Sequence, residues 1–220
     1  MFSGAPMKIL LLLTLLCLPL AAAAKEKGAV PGKFTVEGTV LIYDTDKAVR
    51  DTDAEITDDD IPRLRAVLQD HPDVTEIRLN SSGGSVWAGS EIAWVIMDYG
   101  LDTVVAGECI SACVDIFLAG RARRMTLGSK VGFHQRHWAP SSVENYYNSW
   151  HEDEGWETPF EFGSWIYADT QTEIYEHLTY MVERGVDPAF AIETLRVTSG
   201  DEWYPTRLEL TAAGVLREAE

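Results

Sequence analysis

A serine, Ser111, stands between small residues in the stretch Cys109-Ile110-Ser111-Ala112-Cys113, and a histidine, His134, follows twenty-three residues later. Upstream, the pair Gly83-Gly84 closes the run Ile77-Arg78-Leu79-Asn80-Ser81-Ser82. These residue types have a joint chemistry. A hydroxyl is a weak nucleophile until an adjacent base takes its proton, and imidazole is the side chain whose ordinary pKa suits that task near neutrality. The tetrahedral intermediate then needs donors preset where negative charge develops. Adjacent glycines let bare backbone turn sharply and approach a ligand closely. Each signal alone also has a plainer reading. A Gly-Gly pair after a strand is usually a turn, a serine before an apolar helical pattern is commonly an N-cap, and a histidine at a strand end is more often structural.

The elements around these residues alternate as repeated β-to-α units should. Thr75–Leu79 reads as a strand entering the Gly-Gly turn. Ser85–Tyr99 carries a helical stripe of Val86, Gly89, Ile92, Ala93 and Ile96, and Gly100 stops it. Thr103–Ala106 is the next buried strand and Ser111–Leu118 the helix after it. A helix N-terminus there would set unpaired N–H groups and a positive dipole end beside the Ser111 hydroxyl. Ala122–Thr126 and Lys130–His134 are short strands, and the second delivers His134 at its end.

The 77–135 stretch resembles the Clp protease proteolytic subunit and its relatives in the ClpP/crotonase superfamily, with weaker similarity from about Phe34 to Leu216. The resemblance implies an α/β fold of repeated ββα units in a spiral with flanking helices. It implies Ser111 as nucleophile, His134 as general base, and the amides of Gly83 and Ala112 as the oxyanion hole. The sequence departs from the family pattern in three places. Ser82 stands where the family usually has proline, and Ala112 where it has a bulkier residue. Around Glu193–Thr198 (ETLRVT), the aspartate expected after the histidine is replaced by leucine or valine. Asp201 is the candidate third acid, with Glu202 and Glu193 as alternatives. A missing acid would weaken the triad, because the acid orients the imidazole and stabilises its charged form.

The beginning of the chain is a targeting signal. Lys8, then the apolar run Ile9–Leu20, then Ala21–Ala24 read as a secretory signal peptide over 1–24, cleaved before Lys25. The apolar part is short for a membrane span of about 20 residues, and an uncleaved anchor is the alternative. This predicts an exported, periplasmic protein with a polar leader over 25–33 and a single domain over 34–220. The chain carries 18 basic and 35 acidic residues, a net charge of −17. That balance argues against nucleic acid or anionic lipid as partner. Arg121, Arg123 and Arg124 form the only basic cluster, read as ion pairs. Cys109 and Cys113 bracket Ser111. Export permits a disulfide between them, the alternative being two small buried thiols. No Cys/His spacing suits a metal, and no cofactor is expected.

Residues 137–163 break the pattern, packing Trp138, Tyr146, Tyr147, Trp150, Trp156, Phe160 and Phe162 among acids and loop formers. The segment reads as an aromatic, acidic insertion that covers the cleft, forms an oligomer contact, or is simply an anchored excursion. Helical periodicity returns over Trp165–Arg184, and Asp187-Pro188 starts a helix over 188–196. The reading is an exported serine peptidase-like hydrolase acting on peptide or protein, compatible with a homo-oligomer and with no ATP-driven partner expected. The alternative is an inactive member of the fold that binds peptides or an envelope partner. An acyl-CoA enzyme of the same superfamily would leave Ser111 and His134 unexplained, and a serine–lysine peptidase would have to recruit Lys130.

Overall fold

The computed structural model describes residues 32–50 and 54–218. The expected signal peptide, 1–24, and most of the expected polar leader lie outside the described residues. Among those described, no helix is long and apolar enough to cross a membrane.

The hairpin β1 (Phe34–Glu37) and β2 (Val40–Asp44) opens the sheet, with its turn at Gly38-Thr39. Helix α1 (Asp60–Asp70) buries Ile61, Leu64, Val67 and Leu68 on one face. It leads to β3 (Glu76–Ser81), which lies parallel to β2. Helix α2 (Val86–Tyr99) starts on an N-cap, where the Ser85 hydroxyl accepts from the Ala88 amide. It ends on Gly100 in the left-handed conformation that glycine adopts without penalty. The long strand β4 (Asp102–Ile110) follows, then α3 (Ala112–Leu118), β5 (Arg123–Met125) and β6 (Lys130–Gly132).

β4 organises the sheet. All its pairings are parallel: β3 lies on one side, while β5 pairs with its first half and β6 with its second. The change of partner falls at Gly107, where Asn80 replaces a ladder bond. Its side-chain oxygen accepts from the Glu108 amide at 2.9 Å, and its amide nitrogen donates to Asp44 and Asp46. An added Cβ at Gly107 would collide with that side chain, so the position admits no larger residue.

The core lies between the sheet and α1, α2 and α3, with Leu41, Ile77, Leu79, Ile92, Ile96 and Phe117 fully buried. The polar leader ends inside it. Lys33 is 5% exposed and Asp60 fully buried, joined at 2.7 Å, and the Tyr43 hydroxyl donates to the same carboxylate. Such a pair holds only when nearly every donor is matched.

Two expectations change. Arg121 and Arg124 do pair with Asp102 and Glu76, but Arg123 is a buried cap rather than a surface ion pair. Its guanidinium donates to the carbonyls of Leu118, Gly214 and Val215, and burial, then Arg184 and Arg217 nearby, lower its pKa to about 10. The 137–163 segment is mostly helical. Helix α4 (Pro140–Glu154) runs through it, and α5 (Pro159–Glu183) begins six residues before the expected Trp165, on a Thr158–Glu161 capping box. Its aromatics drive this, because Tyr146, Tyr147, Trp156, Phe162 and Trp165 pack against each other across the two helices. Short helices α6 (Pro188–Glu193) and α7 (Arg207–Ala212) complete the chain.

Candidate active site

Ser111 sits at the corner between β4 and α3. It is the only non-glycine residue among those described with positive φ, at φ 57° and ψ −127°. A side chain held there costs about 1–3 kcal/mol, which surrounding structure must supply. Four features hold the corner. The Ser111 amide donates to the Gly132 carbonyl, fixing the serine to the end of β6. A Cys109–Cys113 disulfide closes across it, between the last turn of strand and the first turn of helix, with both cysteines fully buried. Gly89 of α2 packs so closely on Ala112 that an added Cβ would come 2.9 Å from its carbonyl oxygen. At the far end of α3, Arg123 and Arg184 donate to the carbonyls of Leu118, Ala119 and Gly120, which the helix itself leaves unpaired. Although Ser111 is the N-cap residue, its hydroxyl makes no capping bond, so the oxygen is not committed to the helix.

The Gly-Gly turn reaches the same corner. A Cβ added to Gly83 would stand 2.8 Å from the Ser111 Cβ, 2.9 Å from the Ile110 carbonyl oxygen and 3.4 Å from the Ala112 nitrogen. Glycine is therefore required twice, by contact and by its φ of +105°. The two expected oxyanion donors differ in state. Ala112 is the first residue of α3, so its amide has no acceptor within the helix. The Gly83 amide donates to the buried Ser81 hydroxyl at 3.1 Å and is already engaged. The neighbouring Gly84 amide has no hydrogen-bond partner among the described residues.

His134 lies just past β6. Parallel pairing sets Ile110 opposite Gly132, so the residues that follow, Ser111 and then Phe133-His134, leave the sheet at the same end. No hydrogen bond joins the Ser111 hydroxyl to His134. The imidazole Nδ1 is 2.7 Å from the Gln135 carbonyl. A carbonyl only accepts, so Nδ1 carries the proton and Nε2 is left as the basic nitrogen.

The third acid is not where it was expected. Asp201 is exposed and has no hydrogen bond or ion pair with His134. Its loop does flank the histidine on both sides. Phe133 and Trp203 exchange backbone bonds, the Gln135 amide donates to the Val197 carbonyl, and the Gln135 side chain to the Leu195 carbonyl. Of the alternatives, Glu193 is tied to Arg196. Lys130 bonds to Glu108, not Ser111.

A second polar centre was not foreseen. Asp115, one turn into α3, is buried and bonded by Arg136 at 2.6 Å; Arg136 also reaches Glu173 at 3.0 Å. His177 Nδ1 lies 2.9 Å from Arg136 and 3.3 Å from the other Asp115 oxygen. Burial pushes the Asp115 carboxyl up, but Arg136 and His177 outweigh it and hold it below the ordinary 3.8. The sequence signal was a lone acid within the apolar run Ala112–Leu118. Among the described residues, no group of His, Cys, Asp or Glu is placed to hold a metal.

Among solved structures, the chain is similar to that of a ClpP1 mutant from Listeria monocytogenes. The TM-score is 0.51 and the identity 18%, over 76% of this chain and 86% of that one. The fold is ClpP-like. Identity this low carries the fold and no residue's role. No protein-family model matches the sequence, and no curated protein matches it either. Within this ClpP-like frame, the strand-to-helix corner, the glycine turn and the histidine converge on one end of the sheet.

Proposed function

We propose that the chain is an exported, periplasmic serine peptidase-like hydrolase acting on peptide or protein. The observation that carries this reading is Ser111: a non-glycine residue at φ 57°, its hydroxyl unbonded to its helix, pressed against a glycine turn. Strain of this kind persists where function needs it, and a serine on a sharp strand-to-helix turn presents its oxygen at the edge of the sheet.

The steps follow from the residues. Ser111 Oγ attacks the carbonyl carbon while His134 Nε2 takes the hydroxyl proton. The oxyanion is met by the Ala112 amide and by the glycine turn. Gly84 is the turn donor that is still unpaired; Gly83 serves if its bond to Ser81 is exchanged. The imidazolium then returns the proton to the departing amine, leaving an acyl-serine that water hydrolyses in the reverse sense. The Gln135 carbonyl takes the orienting part of the missing acid's work, but as a neutral acceptor it stabilises the imidazolium less than a carboxylate would. Turnover should be slow.

The second reading is a peptide-binding member of the fold without catalysis. The unmade Ser111–His134 bond and the unengaged Asp201 favour it, although catalytic hydrogen bonds often tighten only with substrate. Turnover of a model ester and an unstructured protein decides between them. Hydrolysis lost in both Ser111→Ala and His134→Ala supports the hydrolase. Binding without turnover in the unmutated protein supports the alternative.

A further inference from the structure

Beside the Ser111 corner opens a groove of about 1120 Å³ between α2 and α5. Gly84 of the glycine turn, Ser85, Asp115, Arg136 and His137 line it; Ser111 and His134 do not, but each stands within four residues in sequence of one that does. The two walls differ in chemistry. On α5, Asp169, Glu176 and Glu183 line it at seven-residue spacing and therefore form one stripe. On α2, Trp87 and Trp94 repeat the same spacing, each 58% exposed.

The charge of the groove is one-sided. Its arginine, Arg136, is taken up by Asp115 and Glu173. Asp169, Glu176 and Glu183 have no ion pair among the described residues. Asp115 Oδ1, also in the lining, is buried and lies 3.3 Å from His177 Nδ1. The stripe spans fourteen residues of helix, about 21 Å at 1.5 Å per residue, which is the reach of about six residues of extended chain.

We infer that this groove binds an extended polypeptide segment of about six residues that carries lysine or arginine beside apolar side chains, and presents it to Ser111. Cationic heads meet the α5 acids, while apolar side chains and the stems of the same lysines lie on the tryptophans, where a cation over an indole face adds attraction. A second copy of this chain is the wrong occupant, because its net charge of −17 repels an acidic wall. The inference rests on the hydrolase reading for its last clause only. Binding is separable from turnover.

The test uses two fluorescent hexapeptides that differ only in lysine against glutamate, with binding followed by anisotropy on the Ser111→Ala protein. Three exposed charge pairs predict a preference of about tenfold for the basic peptide. The preference should vanish between about 0.05 and about 0.5 M salt, because such pairs are screened. Asp169→Asn/Glu176→Gln/Glu183→Gln should reduce it toward parity. Equal binding of the two peptides, or a preference untouched by both salt and the triple variant, overturns the inference. So does a stable homo-oligomer that Trp94→Glu dissociates, since the groove would then be an interface between copies. Basic-peptide binding with no hydrolysis by the unmutated protein leaves the groove standing and rejects the hydrolase instead.

Discussion

Replacing Gly83 by alanine tests the packing of the candidate site, and Gly128→Ala supplies its control. Both glycines have positive φ, +105° and +83°, so both substitutions carry a backbone penalty of about 1–2 kcal/mol. Their surroundings differ. At Gly128 an added Cβ meets nothing within 4 Å, whereas at Gly83 it lies 2.8 Å from the Ser111 Cβ and 2.9 Å from the Ile110 carbonyl. Ordinary carbon contacts fall at about 3.5–4.0 Å, so roughly 0.7–1.2 Å must be recovered by moving backbone. Overpacking of that kind adds about 1–3 kcal/mol. For a domain of this size each kcal/mol shifts Tm by about 2–4 °C, which gives a fall of roughly 4–20 °C for Gly83→Ala against roughly 2–8 °C for Gly128→Ala. Scanning calorimetry reads both. Equal falls in the two variants would refute the close approach of the glycine turn to Ser111.

Arg136→Met should destabilise by about 3–5 kcal/mol, because it leaves the buried Asp115 carboxylate without its main partner; denaturant titration measures it. Asp115 has a folded pKa below its unfolded 3.8, so its contribution is fully present above that value and is lost as pH falls through the folded pKa. Stability measured against pH should therefore keep falling below 3.8 in the unmutated protein and flatten in Asp115→Asn. The double variant Cys109→Ala/Cys113→Ala should lose about 2 kcal/mol, the loop-closure value for so short a ring. It should also lower Ser111 reactivity, since the disulfide braces the corner from both sides; unchanged reactivity would mean that the backbone alone holds it.

What was legible in the sequence was local. The glycine turn, the serine before an apolar helix and the histidine after a short strand are each set by neighbours within a few residues. The cysteines, four apart around a strand-to-helix corner, form a disulfide. What was not legible depends on distant partners. Arg123 looks like its neighbours Arg121 and Arg124, and only the fold turns it inward onto carbonyls ninety-two residues away at Val215. Asp115 and Arg136 are twenty-one residues apart, and nothing local joins them. The orienting partner of His134 was sought among side chains such as Asp201, but the bond goes to a backbone carbonyl one residue on, which no residue type announces. Residues 137–163 read as an insertion outside the helical pattern because acids and turn formers surround the aromatic side chains, yet ring-to-ring packing between α4 and α5 favours helix. That packing lies beyond local propensity.

The central claim is that Ser111 is an activated nucleophile served by His134. Reacting the folded protein with a fluorophosphonate and mapping the adduct by mass spectrometry tests it most directly. Modification at Ser111 is expected, slowed about a hundredfold in His134→Ala, the lower end of a general base's contribution. No adduct at Ser111, or a labelling rate indifferent to His134, would contradict it.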